Sequence, residues 1–192
     1  MRTTRFAALS VTAVFALAAC GGGSSDSSTD AGGSAESHNA QDVSFAQGMI
    51  PHHQQAVEMA ELADGRASSG KVKDLAARVE KAQGPEIRTM TGWLKTWGED
   101  VPSAMPGMDH SSHSGMAGMM DGADMDKLGK ASGADFDSMF LTMMVEHHEG
   151  AVKMATAEQD KGAYKPATGM AGSIVTSQNA EITEMKKLLG EN

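Results

Sequence analysis

The sequence predicts an all-α fold, a four-helix bundle made from two repeated helical hairpins. The first observation is an internal repeat. Moved along by 95 positions, Phe45 falls on Phe140, Met49 on Met144, His52-His53 on His147-His148 and Met59-Ala60 on Met154-Ala155; without a gap, Gln83 then falls on Gln178, Glu86 on Glu181 and Met90 on Met185. The second is period: Phe45, Met49, Ala56, Ala60 and Ala63 line one stripe at about 100° per residue, and Val79, Gln83, Glu86, Met90 and Leu94 recur at helical spacing. The third is that no segment shows a convincing strand pattern, while four amphipathic helices in about 150 residues suit one core.

The elements follow in chain order. Residues 1–19 read as a leader: Arg2 and Arg5 form a basic start, and Phe6 to Ala16 an apolar run too short to cross a bilayer. Leu17-Ala18-Ala19-Cys20 resembles a bacterial lipobox, which implies cleavage before Cys20, lipidation of its sulfur and an extracytoplasmic protein anchored to the cell membrane. Cys20 is the only cysteine, so a lipidated chain has neither disulfide nor free thiol. Losing residues 1–19 removes two arginines and no acid and moves the formal charge from −9 to −11, which argues against nucleic acid as a partner. Residues 20–40 are a Gly/Ser-rich tether in which His38 reads as incidental.

The duplicated domain spans 41–192, with unit one at 41–97, a Met/His-rich linker at 98–133 and unit two at 134–192. Ser69 and Asp135 are the expected helix caps, and Pro166 suits a first helical position. Pro51 and Pro85 fall inside the helices of unit one, where kinks are expected, while unit two has Glu146 and Ala180 there. The linker centre, PSAMPGMDHSSHSGMAGMMDGADM, lacks bulky apolar residues and is expected to be disordered, its methionines outside the core.

Two adjacent histidines on an apolar stripe, twice over, are the chemical puzzle. Burying imidazoles without partners costs a few kcal/mol each, so His52, His53, His147 and His148 need something to satisfy them. They are expected to converge near the bundle centre. Gln83, Glu86, Gln178 and Glu181 are the polar residues facing them: either they complete a structural polar core, or they orient histidines that bind metal. Met49 and Met144 lie one turn away on the same face, Met59 and Met154 one turn further on the other side. The linker adds Met105, Met108, His110, His113, Met116, Met119 and Met120. Thioethers with imidazoles select copper, Cu(I) first and Cu(II) second, over harder ions.

The phrases FAQGMIPHHQQAVEMA and FLTMMVEHHEGAVKMA, followed by QGPEIRTM and QNAEITEM, resemble the signature of the domain of unknown function 305 family over about 45–190. The resemblance implies a ferritin-like bundle, export, and copper handling through Met and His ligands. The expected function is therefore non-catalytic: a copper-binding lipoprotein that sequesters copper or passes it to an unidentified transfer partner. Two alternatives stay open, a ferritin-like di-iron or di-manganese protein and a structural surface bundle without metal. The first needs Glu-x-x-His pairs, which the chain lacks.

Overall fold

Each repeat folds as a helix, a short turn and a second helix. The computed structural model describes residues 37–102 and 116–190; Cys20 with most of the tether, and Met105, Met108, His110 and His113, lie outside the described residues. Helix α1 (Ala40–Glu61) opens on a capping box in which the Asn39 side chain accepts from the Gln41 and Asp42 N–H groups and Asp42 accepts from the Asn39 N–H. A single turn, α2 (Ala63–Arg66), leads into α3 (Gly70–Trp97), which ends on Gly98 at φ 75, a left-handed position that suits glycine. After the linker come α4 (Gly122–Lys130), α5 (Gly133–Lys161) and α6 (Lys165–Leu189), the last again closed by a left-handed glycine, Gly190.

Helix α1 packs along α3 and α5 along α6, and the two hairpins meet where α1 lies against α5. The apolar stripes close two clusters. One gathers Met59, Leu75, Val79, Phe136, Phe140, Met144 and Met185; the other gathers Phe45, Met49, Ile50, Met90, Leu94 and Ile174. Among the described residues there is no strand, only an isolated bridge between Ala67 and Gly133. No described helix is long and apolar enough to cross a membrane.

Three expectations are corrected. The described part of the linker is ordered: residues 116–120 lie against α1 and α5, α4 follows, and Met120, Met125 and Leu128 are core residues. Disorder was expected from an apolar-poor sequence, but these side chains dock into a surface the hairpins already present. The α5 cap position is Ser132, with Asp135 inside the first turn. Helices α1 and α3 each continue on both sides of their interior proline, Pro51 and Pro85. Finally, His38 is not incidental: its ring stacks on Trp97 at 4.4 Å, beside Trp93 and Tyr164.

Candidate metal centre

The repeat places its histidine pairs on the two helices that form the central seam. His52 from α1 and His147 from α5 meet there with ring centroids 3.8 Å apart and planes tilted by 40°. All four imidazoles are fully buried. His53 and His148 turn toward the second helix of their own hairpins, where Nε2 donates to Glu86 at 2.7 Å and to Glu181 at 2.8 Å. So the central contact is a pair, flanked by two imidazoles, rather than four rings converging on one point.

Those hydrogen bonds fix the chemistry of the rings. A carboxylate or carbonyl can only accept, so Nε2 carries the proton in His53, in His148 and in His52, which donates to Ala117 O at 3.3 Å. The Nδ1 atoms of these three rings have no hydrogen-bond partner, and neither nitrogen of His147 has one. Gln83 has no partner at either amide atom, nor has Gln178 at its oxygen, so these glutamines do not satisfy the histidines as expected. They sit one turn from Glu86 and Glu181, which do.

The seam keeps its central histidines neutral. Burial, and then repulsion from His53, pulls His52 down to about 3 against the opposing pull of the Ala117 hydrogen bond. Burial first, then repulsion from His52, His148 and His53, holds His147 well below its ordinary 6.5. A neutral imidazole with a free lone pair is the form that binds metal. Among the described residues no group of three or more His, Cys, Asp or Glu side chains is placed to share one ion. The nitrogen donors thus offer a pair rather than a closed cage.

The remaining expected ligands are sulfur. Met49, Met59 and Met144 are fully buried in the apolar clusters, whereas Met154, Met116 and Met119 are half-buried. Met120 is held by its backbone: its N–H donates to Gln55 Oε1 at 2.8 Å and its carbonyl accepts from Gln55 Nε2 at 2.9 Å. Nearby, Gly118 takes φ +81 and touches Gly150, where a Cβ would lie 1.9 Å from Ala117 O. Sequence reasoning missed Gln55 and Gly150. They occupy equivalent positions of the repeat, and their difference was the available signal: a polar side chain that grips the linker on one helix, and a bare backbone that admits it on the other.

Comparison with known proteins places the chain. No curated protein matches its sequence. A DUF305 protein from Streptomyces coelicolor has a crystal structure with TM-score 0.70 and 35% identity, covering 78% of this chain and 92% of that one. A DUF305 fragment from Deinococcus radiodurans also gives TM-score 0.70, at 30% identity, with 79% and 97% covered. CopM in its Cu(II)-bound form gives TM-score 0.66 at 35% identity, covering 78% of this chain and 95% of CopM, and CopM has also been solved in Cu(I)- and Ag-bound forms. The sequence model of the domain of unknown function DUF305 matches residues 42–189, nearly the whole helical part, and the chain belongs to that family.

Proposed function

We propose that this chain is a non-catalytic, extracytoplasmic copper-binding lipoprotein that sequesters copper or passes it on through imidazole and thioether ligands. The observation that carries the reading is the central seam: neutral His52 and His147 in contact, fully buried, with lone pairs that no protein group satisfies. Native interiors leave few such atoms, because each costs about 1–3 kcal/mol when orphaned. Copper would relieve that cost. The likeness to CopM, solved with Cu(II), Cu(I) and Ag bound, supports copper as the cargo.

The donor set fits the ion. Paired imidazoles with thioethers nearby suit soft Cu(I), which tolerates low coordination numbers. A di-iron or di-manganese centre calls for several carboxylates around one point, and the described residues gather none. Glu86 and Glu181 would act by orienting His53 and His148. Export is supported by the leader and by the Streptomyces relative, itself inferred to be secreted; lipidation of Cys20 would keep the bundle at the membrane.

The test is an anaerobic Cu(I) titration of the mature protein against a strong chelator, with copper and iron measured side by side. Copper should bind in preference to iron, and replacing His52 and His147 together with Ala should weaken or remove an equivalent. Unchanged copper affinity in that double variant would assign the histidines a structural role.

A further inference from the structure

The pseudo-symmetry of the hairpins is broken at one place beside the histidine pair. Gly48 lies one turn before His52 on α1, and its repeat equivalent is Met143, a nearly buried side chain. Met154, two turns beyond His147 on α5, is half-buried; its equivalent, Met59, is fully buried. On one side of the molecule methionines therefore fill the position and close it. On the other, a glycine leaves it open.

The dent at Gly48 is bordered by sulfur. A Cβ there would lie 3.6 Å from the Met154 Sδ and 4.0 Å from the Met116 Sδ, so both thioethers flank one point from different parts of the chain. Neither distance is a clash, so packing does not require glycine; an alanine would fit in ordinary contact. Glycine inside a helix costs roughly 0.5–1 kcal/mol relative to alanine, and here that cost keeps a small gap between two sulfurs on half-exposed residues. Met116 is also bonded to Ala117, whose carbonyl accepts from His52. The gap thus adjoins the histidine pair.

We infer that Met116 and Met154 form a second, outer site for a soft monovalent cation such as Cu(I) or Ag(I), with Gly48 supplying the space and the histidine pair lying next along the seam. Thioethers hold such ions without redox chemistry of their own and exchange them readily, which suits a site through which cargo reaches buried imidazoles. The inference rests on the proposed copper function but does not follow from it. The inner pair can bind copper whether or not the gap is used.

The experiment uses Ag(I) as probe on the full mature chain, followed by NMR of methionine methyl groups labelled with 13C and by equilibrium competition. In the wild type, the Met116 and Met154 methyl signals should shift together on adding Ag(I). In Gly48→Ala those shifts should be lost or require several-fold more Ag(I), with thermal stability equal or higher, because alanine suits the helix. Met116→Leu with Met154→Leu should bind one Ag(I) fewer, while His147→Ala, which breaks no hydrogen bond to residues 116–120, should leave the two methyl shifts in place. If Gly48→Ala and the double leucine variant bind Ag(I) like the wild type, the outer site is wrong and the copper reading stands. A wild type that binds neither Ag(I) nor Cu(I) overturns both.

Discussion

His52 and His147 occupy positions where the repeat pattern calls for apolar side chains, and the metal-free fold is weakened by having them there. Their effect on acid stability has a definite sign. An unfolded chain takes up a proton on histidine near pH 6.5, but folded His52 does so only near 3 and His147 well below 6.5. Below pH 6.5 the unfolded state therefore binds more protons, and stability is lost as pH falls from 6.5 toward 3. Replacing His147, which has no hydrogen-bond partner, with Leu should raise metal-free stability by about 1–3 kcal/mol and flatten the acid limb of the melting profile. Thermal melts from pH 7 to pH 4 check it: a less stable variant with an unchanged acid limb would mean that the imidazole is satisfied in the folded state. Much of this was legible beforehand. Doubled histidines on apolar stripes, with Glu86 and Glu181 in register, announce a buried polar seam. Their division into a touching pair and two outward partners was not, because it depends on how far α1 and α5 rotate against each other, which packing sets and periodicity does not.

At the scale of elements, the instructive piece is the end of the linker. Apolar content alone predicts disorder for it, yet residues 116–120 are fixed by contacts that composition does not register: the Gln55 amide paired to both backbone groups of Met120, and two glycines in backbone contact, Gly118 and Gly150. A helix side chain here behaves as a strand edge would, satisfying an N–H and a C=O together. Both bonds are buried, so Gln55→Leu strands two backbone groups and should cost about 2–4 kcal/mol. Much of that loss should appear as local release rather than global unfolding. Hydrogen exchange at Met120 and its neighbours is expected to quicken by orders of magnitude while α6 amides keep most of their protection. Uniform loss of protection through all helices would mean that the linker and the bundle unfold as one unit. The long helices were readable, since a 3.6-residue stripe over twenty positions leaves little freedom, but the α5 cap is Ser132 rather than the expected Asp135 and α4 lies in what read as linker.

For the molecule as a whole, the two hairpins are fastened by a reciprocal pair of aspartates that the repeat register relates but whose contacts cross between units. Asp42, at the start of α1, accepts from the Ala163 and Tyr164 N–H groups in the turn of the second hairpin. Asp137, its equivalent near the start of α5, accepts from the Ser68 and Ser69 N–H groups in the turn of the first. Each hairpin thus begins by closing the other's loop, and neither is complete alone. The sequence holds both aspartates in register, but single-helix reasoning gives them only a role in local capping. One end of this arrangement carries an extra group. Glu158, which falls on Ala63 in the first unit, is fully buried beside Asp42. For Asp42, burial pushes upward, but hydrogen bonds from Glu158 and from the Asn39, Tyr164 and Ala163 backbone outweigh it and hold the carboxyl below its ordinary value. Burial first, then the neighbouring Asp42 carboxyl, pushes Glu158 up to about 8, so of the two carboxyls Glu158 is the protonated one at neutral pH. A carboxyl raised from 4.5 to about 8 contributes stability that is complete below 4.5 and lost as pH rises to about 8. Glu158→Gln, a neutral donor of the same shape, should match the wild type near pH 4.5, become progressively more stable relative to it up to about pH 8, and hold a constant margin beyond. Because His52 and His147 are common to both proteins, the difference between the two melting profiles isolates this one group. A difference that stays level from pH 5 to pH 9 would show that Glu158 is already ionised in the folded bundle and that the Asp42 end is held by backbone donors alone.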